Sequence, residues 1–230
     1  MSTFAYLGGG VFFVLGLFTL AIGLSSVRKW NRIRSTETVS IRDATVADGI
    51  VKVEGTVTLA SNTPLTSPMT TTECTAFSYD IQRRKSGDWK PVDHGTKYQP
   101  FLLDDGTATA YVDPEGDDLS LSMEKIETLN DEQLPDYIDT KSSLAGRRQY
   151  KEGCLQVGKE ATVVGTTQSP ASDPSSDVEF GPDSEFLLIS NQDAEQTAGR
   201  ILKKGIILSP VGIVFSVTGA GILSAELGLF

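Results

Sequence analysis

The sequence predicts a mainly β domain, sandwich or barrel-like with some helix, set between two transmembrane helices. Residues 4–24 and 206–223 are apolar and carry no charged side chain, and each is long enough for about 30 Å of helix, the thickness of a hydrocarbon core. All 20 Lys and Arg residues lie between Arg28 and Lys204, so the basic residues stop where the apolar stretches begin. In the interval, short apolar–polar alternations bounded by Gly, Pro, Ser and Asp recur, which is the pattern of strands and turns. The expected division is a transmembrane helix at 4–25, a β-rich domain at 35–192, a juxtamembrane helix at 193–204 and a second transmembrane helix at 205–225.

The first apolar stretch has no Lys or Arg before it and Arg28, Lys29, Arg32 and Arg34 after it. A cleaved secretory signal would carry its basic residues first and a small-residue cleavage site last, so a retained anchor is the better reading. The second stretch contains Pro210 and is followed by Glu226. Proline is tolerated near the start of a span and the carboxylate falls at the far interface; a surface-lying or soluble helix is the alternative. Arg200, Lys203 and Lys204 precede it. Basic clusters on the inner side of both stretches place the central domain in the cytoplasm and both termini outside, as a multi-pass protein of the cell membrane. Gly9, Gly16 and Gly23, and Gly212, Ser216, Ala220 and Ser224, give each helix a small-residue face suited to pairing in lipid. The bilayer is thus the first expected partner, and homo-oligomers through these helices are allowed.

Within the central domain, residues 37–47 read as a short helix or strand. Ile50, Val51, Val53, Val57 and Leu59 mark a half-buried strand. Residues 61–72, rich in Pro, Ser and Thr, read as a loop. Residues 74–84 alternate again, with Cys74, Ala76, Ser78 and Asp80 on one face and Phe77, Tyr79 and Ile81 on the other, as in a strand with one wet side. Residues 83–88 make a turn, 89–92 and 96–103 continue a meander, and Asp104-Asp105-Gly106 turns the chain into a strand at 107–112. Beyond Asp113 the chain becomes acidic and irregular, with a brief helix at 131–137 broken by Pro135. Strand-like sequence returns at 147–154, 161–167 and 185–190. Residues 169–184 read as a mobile loop, and a helix capped near Asn191 or Asp193 leads into the second span.

The chain carries a formal net charge of −10, and residues 35–199 hold 29 acidic against 13 basic side chains. Nucleic acid is excluded as a partner, because phosphate binding needs a basic footprint. An acidic surface rich in Asp and Thr resembles the proteins of salt-loving archaea. Cys74 and Cys154 do not make a disulfide framework and read as reduced, buried thiols in a cytoplasmic domain.

No catalytic, cofactor-binding or metal site is assigned. His94, the only histidine, stands in a turn-like setting without a nearby nucleophile. Asp113, Glu115, Asp117 and Asp118 have oxygen ligands for Ca²⁺ or Mg²⁺ but not the EF-hand spacing, and read as a solvated acidic turn. Arg83-Arg84-Lys85 and Arg147-Arg148 with Lys151 are two basic patches, suited to an acidic partner or an anionic leaflet, or simply solvated turn charge.

The order of segments resembles the GIDE-type domain of the Mulan family of mitochondrial E3 ubiquitin ligases. The residues that carry the resemblance are Gly55, Leu65, Ser67-Pro68, Cys74, Phe77 and Tyr79, then Trp89, the run from Phe101 to Gly106, Val112 and Asp113-Pro114, and finally Glu152, Leu155, Gly158, Val163-Val164 and Gly165. It covers about residues 48–190. The resemblance implies a domain beside the membrane that serves substrate or partner contact. In the ligases a RING follows the second span, and a RING binds two zinc ions through eight Cys or His ligands; these 230 residues contain two Cys and one His. The expectation is therefore a non-enzymatic membrane protein, an archaeal-type member without the RING, that presents its domain for recognition of a protein partner or for assembly. A ligase-like protein relying on a separate catalytic subunit, and an oligomeric envelope or stress factor, are the alternatives.

Overall fold

The computed structural model describes residues 35–115, 119–126, 147–170, 172–173, 175–181 and 186–192, together with the helical residues Val11, Val14, Leu15, Leu17, Phe18, Ala21 and Asn31. The chain divides into two compact units, one made of Met1–Ser35 and Ala194–Phe230, the other of Thr36–Asp193. Among the described residues no helix is long and apolar enough to cross a membrane. Most of the expected helix at 4–25, and the whole of those at 131–137, 193–204 and 205–225, lie outside the described residues.

The second unit is mainly β, as the alternating pattern requires. Its first element is one helical turn, α1 (Ile41–Ala44), which buries Ile41 and Ala44 completely. Ser40 caps it: the side-chain oxygen accepts the Asp43 N–H at 3.0 Å, filling one of the donors that a helix start leaves open. Among the described residues eleven strands follow: β1 (Ile50–Leu59), β2 (Leu65–Thr66), β3 (Glu73–Lys85), β4 (Asp88–Tyr98), β5 (Phe101–Asp104), β6 (Thr109–Val112), β7 (Glu124–Ile126), β8 (Arg148–Gln156), β9 (Glu160–Thr166), β10 (Val178–Phe180) and β11 (Leu187–Ser190).

Two sheets form. The first has the order β10-β6-β5-β1-β9-β11; the second runs β2-β3-β8-β7, with β4 also paired to β3. In β1, Val51, Val53 and Val57 are buried while Glu54 and Thr56 are exposed, the two-residue period of a strand with one face on the core. Val53, Phe101, Leu103, Val163, Phe180 and Ile189 of the first sheet pack in one cluster with Ala76 and Leu155 of the second, so the sheets share a core. Gly55 continues the inward row of β1. A Cβ built there would lie 2.8 Å from the Asp104 carbonyl oxygen, so the close approach of β5 excludes any side chain.

Several local readings are corrected. β4 is continuous from Asp88 to Tyr98, without the break expected at Asp93–Gly95, and His94 stands exposed on a strand opposite Asp80, not in a turn. Gly95 resembles a turn residue but stands opposite Tyr79, whose ring lies 2.7 Å from where a Cβ would be. The turn itself is tighter than expected: Ser86 (φ 52°) and Gly87 (φ 95°) both have positive φ, the two-residue geometry that matches strand twist. β7 lies in the stretch read as irregular and β10 in the stretch read as a loop. Each is three residues long, too short for alternation to show in sequence.

β3 departs most instructively from the expected two-faced strand. Cys74, Thr75, Ala76 and Phe77 are all buried, because this part of β3 is covered on both faces. Cys74 also lies on the face opposite to the one expected. In the ladder with β8, Cys74 pairs with Gln156 and Ala76 with Leu155, so two steps on β3 oppose one on β8. This β-bulge inverts the phase of everything before it, and Cys74 joins the face of Phe77 and Cys154 instead of the face of Ala76.

Candidate functional site

That face of the second sheet is where polar chemistry gathers. β8 points Glu152 and Cys154, two residues apart, to the same side, and the bulge in β3 delivers Cys74 to it. In the stretch 61–72 read as a loop, Leu65–Thr66 forms β2 and Ser67–Thr72 folds over the face as a tight turn. Glu152 is only 4% exposed. Its Oε1 accepts the Met69 N–H at 2.9 Å, and its Oε2 accepts the Thr70 N–H at 3.0 Å and the Thr70 hydroxyl at 2.5 Å. Three donors on a buried carboxylate offset the cost of removing it from water. The turn is closed by its own bonds as well: Ser67 N–H to the Thr72 carbonyl at 3.0 Å, Thr72 N–H to Ser67 Oγ at 3.1 Å, and a 2.8 Å contact between the hydroxyls of Ser67 and Thr70. Thr71 takes a positive φ of 53° to complete it.

The two thiols share the face beneath this turn. Both are free cysteines, Cys74 fully buried and Cys154 half-buried. Hydrogen bonding from the Cys74 thiol, joined by the hydroxyls of Ser67 and Thr70, holds the Cys154 thiol below its ordinary range, against burial and the nearby Glu152 charge. The same contact, with burial, pushes Cys74 strongly upward. In the geometry the Cys74 thiol donates to the Leu65 carbonyl at 3.7 Å. Sequence reading gave the two thiols separate, inert roles; the signal it lacked was the bulge at Thr75.

The other expected features are scattered. The acidic group keeps Asp113 and Glu115 among the described residues, while Asp117 and Asp118 lie outside them, and no cluster there has the composition of a metal site. Burial, with the charges of Glu179 and Glu115, raises the Asp113 carboxyl above its usual range. Asp105 is more than a turn residue. It accepts the Ile41 N–H at 2.7 Å, the Thr107 N–H at 2.8 Å and hydroxyl at 2.7 Å, and the Ala108 N–H at 3.2 Å, tying α1 to the β5–β6 turn. The two basic patches, by contrast, come together: Arg83 stands opposite Arg148 in the β3–β8 ladder.

Residues 71–223 match the family model described as GIDE, E3 ubiquitin ligase. The chain belongs to the GIDE family. The matched span begins after Gly55, Leu65, Ser67 and Pro68, so these four residues of the resemblance lie ahead of it, whereas Cys74, Glu152 and Cys154 fall inside. No curated protein and no solved structure matches this GIDE-family chain.

Proposed function

We propose that this GIDE-family protein spans the membrane twice and presents its β domain for protein recognition or assembly at the bilayer surface. The observation that carries the reading is the exposure of the apolar helical residues between Val11 and Phe18. Val11, Val14, Leu15 and Phe18, spaced as neighbours on one side of a helix, are 58%, 64%, 51% and 64% exposed, and Leu17, on another side, is 47% exposed. Such apolar exposure is stable in lipid and costly in water. The uncharged stretches at 4–24 and 206–223, and the basic residues just inside both, support two spans with the domain on the cytoplasmic side. Anchoring at both ends would confine the domain to a thin layer and raise its effective concentration for membrane partners.

Topology is tested by single-cysteine labelling in sealed cells, with Cys74→Ser and Cys154→Ser as background and new cysteines at Ser2, Ser175 and Gly228. Labelling from outside at both ends, but not at position 175, is expected. Labelling at 175 would place the domain outside and reject the cytoplasmic reading.

The family's description favours one further reading, a ligase-like protein that works with a separate catalytic subunit; two Cys and one His within these 230 residues do not supply the eight ligands of a RING. Purification with a stoichiometric zinc-containing partner would support it, and a zinc-free preparation would count against it.

A further inference from the structure

We propose that the end of the β3–β4 hairpin is a docking surface for anionic phospholipid headgroups. In the second sheet, Lys90, Arg83 and Arg148 stand side by side on β4, β3 and β8. One step towards the hairpin turn, Trp89 is opposite Arg84, and the Arg84 N–H donates to the Arg147 carbonyl at 2.9 Å, which continues the register into a second row, Trp89, Arg84 and Arg147. Residues directly opposite one another in a ladder point to the same face, where like charges repel. Two adjacent rows thus concentrate five cations at one end of a sheet, in a chain whose net charge is −10.

The second row is built for contact. Trp89, Arg84 and Arg147 are all exposed, and Trp89 and Arg147 line one cavity of about 260 Å³. The arm ends in the small Ser86–Gly87 turn, and β4 is exposed over most of its length, so nothing bulky precedes the cations at a surface. Tryptophan beside arginine suits the headgroup layer, where the indole finds apolar cover and the guanidinium finds phosphate. An acidic protein segment would satisfy the cations but leave the ring in water. Most of the domain surface is acidic and would be repelled by the same leaflet, which leaves this end to approach it. The inference rests on the membrane reading only in requiring a bilayer nearby.

The full chain contains two tryptophans, Trp30 and Trp89, so Trp30→Phe leaves Trp89 as the sole reporter. This variant is reconstituted into vesicles of phosphatidylcholine, with and without phosphatidylglycerol, whose acyl chains are brominated. Trp89 emission is expected to shift to the blue and be quenched in the anionic vesicles, to stay unshifted in the neutral ones, and to recover in high salt. Combined Arg84→Gln and Arg147→Gln should lower the ratio of docked to free arms by roughly 30-fold, at roughly 5-fold per cation, with circular dichroism unchanged. Equal quenching in both lipids, or quenching indifferent to salt and to the paired substitution, overturns the proposal. So does a Trp89 response to added polyglutamate without one to anionic lipid, which would assign the surface to an acidic protein. Alkaline carbonate extraction of the same vesicles separates the two readings. A retained chain with a silent Trp89 sinks the docking surface alone, and a chain that washes off sinks the two-span reading.

Discussion

Glu152 holds the backbone of Met69, 83 residues away in sequence, through a 2.9 Å hydrogen bond inside the protein. With the Thr70 amide and hydroxyl on its other oxygen, this carboxylate converts a Pro-, Ser- and Thr-rich segment into a fixed lid over β3 and β8. Removing it leaves the buried Met69 N–H and the part-buried Thr70 N–H without their acceptor. Glu152→Ala should cost about 3 kcal/mol, and Glu152→Gln less, because the amide keeps one acceptor. Urea midpoints of the two variants check this, with amide exchange at residues 67–72 as the local readout. Equal costs for Ala and Gln would mean that packing, not the acceptor, holds the turn.

Cys154 and Cys74 differ in a way that alkylation can read. Cys154 is half-buried and held below the ordinary thiol range, so it carries thiolate at lower pH than a free cysteine; Cys74 is fully buried and shifted upward. N-ethylmaleimide should therefore modify Cys154 first at neutral pH. Cys74→Ala should slow that reaction by returning the Cys154 thiol towards its ordinary range. Peptide mass spectrometry over a pH series measures both, and an unchanged rate in the Cys74→Ala protein would reject the influence of Cys74 on the Cys154 thiol.

Asp105 ties acid stability to the joint between α1 and the β5–β6 turn. Burial pushes its carboxyl up, but hydrogen bonds from Ile41, Thr107 and Ala108 outweigh this and hold it below the usual carboxylate range. A depressed folded-state value means that the unfolded chain binds the proton more tightly. The stabilisation is therefore complete above the ordinary carboxylate range and is lost as pH falls through the lowered value. Asp105→Asn should flatten the acid limb of stability against pH while leaving the neutral plateau less affected. Thermal unfolding from neutral pH down to about 3, below the ordinary Asp value, is the measurement. A parallel downward displacement at every pH would show that the tie is steric.

Gly55 tests the packing of the first sheet. A methyl group there meets the Asp104 carbonyl at 2.8 Å and the Leu103 side chain at 3.1 Å. Backbone cannot rotate away as a side chain can, so Gly55→Ala should destabilise by about 1–3 kcal/mol. A neutral substitution, judged by denaturant midpoint, would show that β1 and β5 can separate without loss.

The legible parts of the site were its residue types, and the hidden part was their phase. Glu152, Cys154 and Cys74 each stand on a readable strand, yet their convergence depends on one extra residue at Thr75 that carries no sequence mark. Arg83-Arg84-Lys85 and Arg147-Arg148 were visible as two patches, and only the ladder between β3 and β8 makes them one surface.

By itself the sequence determined the mainly β character of the domain, the course of β1, β3 and β9, the tight turn at Gly106, the acidic balance and the family. These follow from local periodicity, turn chemistry and composition, which a linear chain displays directly. The tertiary structure alone decided that β4 is one strand, that β7 and β10 exist, that Glu152 clamps a turn and that the two thiols share one face. Each of these depends on a partner distant in sequence, whose register sets which face a side chain takes, and a shift of one residue would have reversed it.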